Sequence, residues 1–309
     1  MAAEVLEPED RDRLDNIYGQ DYPKSLMEVI VIGYGGNDGM PEIVEKWAEQ
    51  YRDLRLKLIR EEVRRGKAYA LKYVNGEVVA IADSDAFWPS DAIIKAVKRL
   101  SDTSVGAVSC LKKPLKPSIA EVEWGYRQYY NVLRVAESKA YSTTIFHGEL
   151  AAFKAGLLKD VDGFPTDMEA YDSYAATKIA LMGFRAIIPD DLWIEEMVSK
   201  EKYFSWRVRR AHHLIQHFIK ALRTEKTHRG LKWVLLAEGS LHLVNLWILA
   251  ATSLFIISAI AYHGLASWTI LTLELLLLAL KPYRTWVTTQ LCLVVGALRN
   301  LYTKEIAWA

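Results

Sequence analysis

The sequence predicts an α/β domain followed by an apolar, membrane-embedded C-terminal region. Over the first two thirds of the 309 residues, short apolar runs alternate with helical stretches. This rhythm is typical of a mostly parallel sheet covered by helices. Beyond about residue 230, long apolar runs replace the evenly spread charges. The formal net charge of +1 gives no reason to expect nucleic acid as a partner.

The α/β domain is predicted from five apolar runs that have the length and composition of strands. Helical stretches, such as 41–52 and 89–100, separate them. Ligands of such sheets bind at the carboxyl ends of the strands, so polar residues that follow a run are candidate site residues. The predicted strands are 28–33, 54–59, 78–83, 105–110 and 184–189.

One acidic pair follows a predicted strand directly. Asp83 and Asp85 close the run 78–83, which has the composition of a central buried strand. Residues i and i+2 of an extended chain point the same way, so both carboxylates can hold one hard cation together with phosphate oxygens. Either Mg²⁺ or Mn²⁺ fits such a pair. Alternatively, Asp85 is a loop residue before a helix capped by Ser90 or Asp91.

The N-terminus and the cysteines indicate in which compartment of the cell the α/β domain lies. The N-terminus is acidic and lacks the basic and apolar regions of a signal peptide. Cys110 and Cys292 lie far apart, so they predict neither a disulfide framework nor a cysteine metal site. We therefore expect the α/β domain in the cytoplasm.

The C-terminal third is predicted to enter a membrane. Residues 241–263 contain no Asp, Glu, Lys or Arg and are long enough to cross a hydrocarbon core of about 30 Å. We expect a second helix at 265–280 and a third that begins in 286–298 and continues to Tyr302. The basic loop 281–284 favours the cytoplasmic side. The alternative is a buried helical hairpin in a soluble protein.

A basic amphipathic helix is predicted just before the first span. The segment 203–223 has apolar residues at helical spacing: Phe204, Val208, Ala211, Leu214, Ile215, Phe218 and Leu222. Basic residues stand between them: Arg207, Arg209, Arg210, His212, His213 and Lys220. The pattern indicates a helix in the membrane interface or, compatibly, one packed on the α/β domain. The predicted organisation is therefore a domain at 1–200, an interfacial helix at 201–230 and a transmembrane region at 231–309.

Four segments carry a resemblance to a known family: 20–47, 64–93, 147–154 and 163–189. They resemble the inverting glycosyltransferases of family 2, which have the GT-A fold. The membrane-bound members, cellulose-synthase-like and dolichyl-phosphate-dependent enzymes, are the most similar. The resemblance covers roughly residues 10–225. It implies a GT-A domain with an interfacial helix and about three transmembrane helices.

The resemblance also implies a catalytic base. In the family, an acidic dipeptide is followed by a basic residue six positions later and a glycine eleven positions later. Asp172, Lys178 and Gly183 keep that spacing. Asp172 is therefore the expected general base, which deprotonates the acceptor hydroxyl. The alternative is an aspartate that caps the following helix.

Binding residues follow from the same resemblance. For the nucleotide-sugar it implies Tyr34, Arg60 or Arg65, Lys67, Asp83, Arg209 and Arg210. For the acceptor it implies His147, Gly148, Glu149 and Trp206. The metal, Mn²⁺ or Mg²⁺, is assigned to Asp83 and Asp85. The alternative for Arg60, Arg65 and Lys67 is a solvated basic face.

The sequence departs from the family pattern at several positions. Gly33 to Gly36 stand where the family has an aspartate pair that contacts the base, Tyr171 replaces the acid before Asp172, and the glutamine of a Q-x-x-R-W motif is missing near Trp206. The departures favour transfer of a single sugar over long-chain polymerisation.

We therefore expect a multi-pass membrane protein whose cytoplasmic domain transfers mannose from GDP-mannose to a dolichyl- or polyprenyl-phosphate-linked acceptor. One alternative is a polysaccharide synthase that uses a UDP-sugar. Another is a membrane-tethered protein that binds a nucleotide without catalysis; the survival of Asp83, Asp85 and Asp172 together favours catalysis.

Overall fold

The computed structural model describes residues 2–3, 10–34, 39–61, 69, 71–114, 121–196, 203–224 and 228–302. In chain order the strands are β1 (Ala2–Ala3), β2 (Glu28–Tyr34), β3 (Arg55–Glu61), β4 (Val78–Ala82), β5 (Ala86–Phe87), β6 (Val105–Ser109), β7 (Leu111–Pro114), β8 (Ala151–Lys154), β9 (Arg185–Ile187) and β10 (Trp193–Glu196). All five predicted strands are found, within three residues at each end.

Helices alternate with these strands and then form the whole C-terminal part. They are α1 (Asp10–Tyr18), α2 (Met40–Gln50), α3 (Ala92–Leu100), α4 (Glu121–Ala140), α5 (Ala155–Asp160), α6 (Tyr171–Leu181), α7 (Tyr203–Leu222), α8 (Arg229–Leu243), α9 (Asn245–His263), α10 (Leu265–Leu277) and α11 (Lys281–Tyr302). This element order confirms the predicted α/β class.

The described strands form a seven-stranded sheet and a three-stranded sheet. The order of the large sheet is β3-β2-β1-β4-β8-β6-β9, and only β8 runs antiparallel to its neighbours. The small sheet has the order β5-β10-β7. Every residue of β6 is buried, as expected for a central strand covered on both faces.

The strand β1 was not among the five predicted strands. Ala2 lies opposite Ile30 of β2 and Ile81 of β4, so β1 lies inside the large sheet, next to the central strand β4. The loop after β4 therefore emerges at the middle of the sheet, where the strand ends of a parallel sheet leave room for a ligand.

The predicted three membrane crossings are not confirmed. Within the described part of the chain, the one stretch long and apolar enough to cross a membrane is Arg229–Ile260, which is formed by α8 and most of α9. Leu265–Leu277 and Lys281–Tyr302 pass the same test only as a pair, and a bend of 100° separates them. The 13 residues of α10 extend over only about 20 Å, too short for a crossing of about 30 Å.

The helices α7 and α8 pack on the α/β domain. Val208, Ile215 and Phe218 of α7 are buried, and Leu231 of α8 belongs to the main core of the α/β domain. Because α7 lies between the α/β domain and α11, the structure supports the alternative of a packed amphipathic helix. The position of α7 in the membrane interface stays a prediction. It is compatible with the exposed side chain of Phe204 on α7.

Candidate active site

The loop at the end of β4 opens into a cavity of about 480 Å³. Asp83 and Asp85 follow the last residue of β4 and both line this cavity. The main chain of Gly148 lies against the carboxylate of Asp83. A Cβ at position 148 would be 3.0 Å and 3.2 Å from the two oxygens of that carboxylate.

The carboxyl group of Asp172 reaches the same cavity from another element. Asp172 is the second residue of α6 and is 8% exposed. Ala170 is the capping residue of this helix, and the Asp172 Oδ1 accepts a hydrogen bond of 2.7 Å from the amide of Ser173. Asp172 is therefore not the first capping residue, but its carboxylate accepts from an amide in the first turn of α6, so its role as the base stays a prediction beside the capping alternative.

The environment of Asp172 suits a group that exchanges a proton near neutral pH. Burial raises its pKa to about 7, and the negative charges of Asp83 and Glu149 act in the same direction. The hydrogen bond from Ser173 and the charge of Arg210 oppose this rise. The three carboxylates of the prediction, Asp83, Asp85 and Asp172, thus line one cavity rather than separate surfaces.

The segment 147–149 lines the same cavity, where Glu149 lies beside a group of cations. Lys112 pairs with Glu149 and lies 3.1 Å from the Glu196 Oε2, and all three side chains are buried. Burial alone would raise the pKa of Glu149, but Lys112 and Arg210 hold it well below its usual range. Burial, reinforced by Lys112, lowers the pKa of His147 well below its usual value, so this imidazole is neutral.

The helix α7 brings the predicted phosphate-binding arginines to the cavity. Arg210 lies 3.8 Å from carboxylate oxygens of both Glu149 and Glu196, and its guanidinium lies 4.8 Å from the ring centre of Trp206. Arg209 lies 3.9 Å from an oxygen of Glu169. These side chains line the cavity. A guanidinium in such a position suits a diphosphate, since it can pair with two phosphate oxygens at once.

One residue that the resemblance assigned to the donor does not join this group, and others lie outside the described part of the structure. Arg60 is exposed, forms an ion pair of 2.6 Å with Glu45 and does not line the cavity. Lys67 lies outside the described residues, as does Arg65. The backbone of Tyr34 ends β2, but its side chain is also outside the described part of the structure. Their roles stay predictions.

Comparisons of this chain with a family model and with solved structures agree on its family. The model of "Glycosyl transferase family 2" matches residues 11–162. The structure of a mannosyltransferase from Pyrobaculum calidifontis, in complex with GDP-Man and Mn²⁺, is 48% identical, with a TM-score of 0.90. The superposition covers 98% of this chain and 86% of the other. The chain belongs to glycosyl transferase family 2.

Two further relatives of this family 2 protein are more distant. TarS residues 1–349 from S. aureus superpose with a TM-score of 0.56 over 98% of this chain and 90% of TarS, at 18% identity, which shows the fold alone. A beta-monoglucosyldiacylglycerol synthase from Trichormus variabilis is 31% identical over 101 residues. That alignment spans 31% of this chain and only 22% of the synthase.

The residues that line the cavity fit a divalent metal. Within the described chain, no group of three or more His, Cys, Asp and Glu side chains is arranged as a metal site. Asp83 and Asp85 supply two carboxylates, which leaves further positions for phosphate oxygens and water, as is usual for Mg²⁺ and Mn²⁺. The expected cofactor, Mn²⁺ or Mg²⁺, is of the class present in the complex of the mannosyltransferase.

Several residues of the site were missing from the prediction. Lys112 and Glu196 lie on β7 and β10, Arg127 on α4, and Arg13 on α1. Arg13 is fully buried, with its guanidinium 4.4 Å from the ring centre of Trp88. Burial lowers the pKa of Arg13 to about 9, while Asp83 and Asp85 counteract this shift. No local motif marks these residues, because their partners are distant in sequence.

Proposed function

We propose that this protein is an inverting, metal-dependent glycosyltransferase that moves mannose from GDP-mannose to a lipid-linked acceptor at a membrane. The main support for the proposal is the placement of Asp83, Asp85 and Asp172 around one cavity that Arg209 and Arg210 also line. The donor is inferred from the mannosyltransferase complex with GDP-Man, which is 48% identical to this chain.

The proposed chemistry needs a stabilised leaving group and, for a hydroxyl acceptor, one base. With such an acceptor, Asp172 accepts the proton of the hydroxyl while the hydroxyl oxygen attacks the anomeric carbon and the bond to the GDP oxygen breaks. A metal held by Asp83 and Asp85 would neutralise charge on the departing diphosphate. Arg209 and Arg210, which line the same cavity, are suited to pair with the diphosphate.

A lipid-linked acceptor is supported by the apolar surface of the C-terminal helices. Leu254 and Phe255 of α9 are 66% and 72% exposed, and Leu273 of α10 is 56% exposed. Such a contiguous apolar surface is typical of a membrane-facing region. We therefore propose that the chain is anchored in a membrane and that the lipid part of the acceptor stays there. The acceptor we favour is a dolichyl or polyprenyl phosphate.

A hydroxyl-bearing glycolipid is a second candidate acceptor. It is favoured by the similarity to a beta-monoglucosyldiacylglycerol synthase and by the raised pKa of Asp172. A phosphate monoester is largely ionised at neutral pH, since its second pKa is about 6, and so it needs no base. The two acceptor classes therefore differ in how much they require Asp172.

The test is nucleotide release from GDP- and UDP-sugars with Mn²⁺, by wild type, Asp172→Asn and the surface control Asp191→Asn. Each is measured with polyprenyl phosphate and with a diacylglycerol glycolipid in micelles. With a hydroxyl acceptor, Asp172→Asn is expected to lose about 10²- to 10⁴-fold in rate. With a phosphate acceptor the loss is expected to be much smaller. Release that is equal for wild type and Asp172→Asn with hydroxyl acceptors would show that Asp172 is not the base.

A further inference from the structure

Trp88 connects three parts of the site although it does not line the cavity. It lies three residues after Asp85 and is 3% exposed. Its amide donates a hydrogen bond of 2.9 Å to the Asn16 Oδ1, and its carbonyl accepts one of 2.8 Å from the Asn16 Nδ2. One side chain of α1 thus satisfies both main-chain groups of Trp88, from a distance of 72 residues along the chain.

The indole ring of Trp88 connects this loop to the segment 147–149, which lines the cavity. The Nε1–H donates a buried hydrogen bond of 2.8 Å to the carbonyl of Glu149. Glu149 directly follows Gly148, whose main chain lies against the carboxylate of Asp83. The loop that contains Asp83 and Asp85 is therefore bonded to the segment 147–149 by this hydrogen bond and lies close to it at Gly148.

The same loop is anchored to α1 beyond Trp88. The Gln20 Nε2 donates to the carbonyl of Pro89 at 3.0 Å, and the Asp21 amide donates to the carbonyl of Ser90 at 2.7 Å. These bonds hold the segment 88–90 against the end of α1. The anchoring explains why a loop that leaves a central strand can stay in one position.

Arg13 adds a buried charge to this arrangement. Its Nη1 donates to the Asn16 Oδ1 at 2.6 Å, and its guanidinium stacks on the ring of Trp88. Its Nε and Nη2 are buried without a hydrogen-bond partner in the described structure. A buried cation that uses only some of its hydrogen-bond donors lowers the stability of a protein. A role at the adjacent site therefore explains the presence of Arg13 better than a contribution to stability does.

We propose that Trp88 is a positioning residue. Together with Asn16 and Arg13, it holds the acidic loop 83–85 in a fixed position relative to the segment 147–149. This proposal rests on the proposed function for its catalytic consequence. The positioning itself does not depend on that function, since it consists of contacts within the chain. Small displacements of positioning groups can cost about 10²-fold in rate, so the loss of one such contact has a measurable effect.

The first experiment compares Trp88→Phe with Trp193→Phe. The control removes the same indole N–H from an exposed tryptophan, whose Nε1 donates to the carbonyl of Asp190 at 3.0 Å. Trp88→Phe keeps a ring under Arg13 but loses the bond to Glu149. We expect kcat to fall about tenfold and half-saturation with Mn²⁺ to need several-fold more metal. At saturating Mn²⁺ the KM for the donor is expected to stay within about twofold.

A merely structural role predicts a different result. If Trp88 only stabilised the fold, Trp88→Phe would reduce the amount of active protein and leave the Mn²⁺ dependence unchanged. The proposal would be overturned if Trp88→Phe had the same Mn²⁺ dependence as wild type and the same kcat as Trp193→Phe. Asn16→Ser is a second variant, which releases the other side of Trp88 and is expected to shift the Mn²⁺ dependence in the same direction.

A measurement without substrate separates this proposal from the proposed function. Hydrogen exchange of the backbone amides in 83–88 and 147–150 is expected to accelerate several-fold in Trp88→Phe, and not in Trp193→Phe. If wild type releases no nucleotide from any donor while this exchange difference is present, the proposed function fails and the positioning role stands. If exchange in both segments is unchanged, the positioning role fails whatever the activity.

Discussion

The carboxyl group of Asp172 is buried beside the negative charges of Asp83 and Glu149, and this environment determines when it can act as a base. Its pKa is raised to about 7, mainly because of burial. A metal bound by Asp83 and Asp85 would add positive charge near Asp172 and lower this pKa, so about 7 is its upper limit in the metal complex. At a pH below its pKa Asp172 is protonated and cannot accept a proton; above it the group is ionised.

We therefore predict that kcat/KM for a hydroxyl acceptor rises about tenfold per pH unit at low pH and levels off at a pH no higher than about 7. The measurement is a rate profile from about pH 5 to about pH 9 at saturating Mn²⁺. In Asp172→Asn the residual rate should lose this rising limb. An identical limb in wild type and Asp172→Asn would assign the titration to another group.

Gly148 gives a second prediction at the scale of one residue. A methyl group at this position would meet both oxygens of the Asp83 carboxylate at 3.0 Å and 3.2 Å, so Asp83 must move in Gly148→Ala. We expect weaker Mn²⁺ binding and a loss of about 10- to 100-fold in kcat, the size typical of a displaced site group.

The control for Gly148→Ala is Gly156→Ala. Nothing lies within 4 Å of a Cβ added at Gly156, which is on the exposed helix α5. Its activity and Mn²⁺ dependence should equal those of wild type. Equal activity of Gly148→Ala and Gly156→Ala would mean that the position of Asp83 is not critical.

At the scale of elements, the contacts of α8 show what a composition boundary can and cannot indicate. The sequence changes composition near residue 230, where α8 begins. Yet Leu231 is part of the α/β core, and Glu238 forms a buried ion pair of 2.8 Å with Arg134 of α4. The ion pair joins residues 104 positions apart. Apolar periodicity cannot reveal such a partner.

The helix α7 shows the same limit. Its length and apolar stripe are evident from the sequence, and the helix is found at Tyr203–Leu222. Three basic positions between the apolar ones, Arg207, His212 and His213, are nevertheless buried. Arg207 donates to the Thr289 Oγ1 of α11 at 3.2 Å, so its burial depends on a helix that comes much later in the chain.

At the scale of the whole molecule, the sequence predicts five of the seven strands of the large sheet and points to the three acidic residues that line one cavity, because both depend on local signals. The apolar run before Asp83 and the spacing after Asp172 are such signals. The group of cations beside Glu149 is different, since Lys112, Arg127 and Glu196 meet only when β7, α4 and β10 assemble. The small sheet that holds two of them forms from strands of two to four residues, which carry too weak a pattern to predict.

The number of membrane crossings also belongs to the whole molecule, because packing decides which apolar surface is left for lipid. The exposed apolar side chains of α9, Leu254 and Phe255, should contact lipid if this region is inserted. A charged side chain near the centre of a bilayer costs about 2.5–3.5 kcal/mol. The same change on a protein surface in water costs little, so a charge substitution distinguishes the two environments.

We predict that the double substitution Leu254→Glu and Phe255→Glu lowers the fraction that resists alkaline extraction from membranes at least tenfold. The control is Ile94→Glu, at a residue of α3 that is 47% exposed on the α/β domain and should have no effect. Extraction of all three proteins to the same extent would contradict a lipid-facing α9. A second chain would then be the better explanation for what covers its apolar side chains, because an uncovered surface of this size leads to aggregation in water.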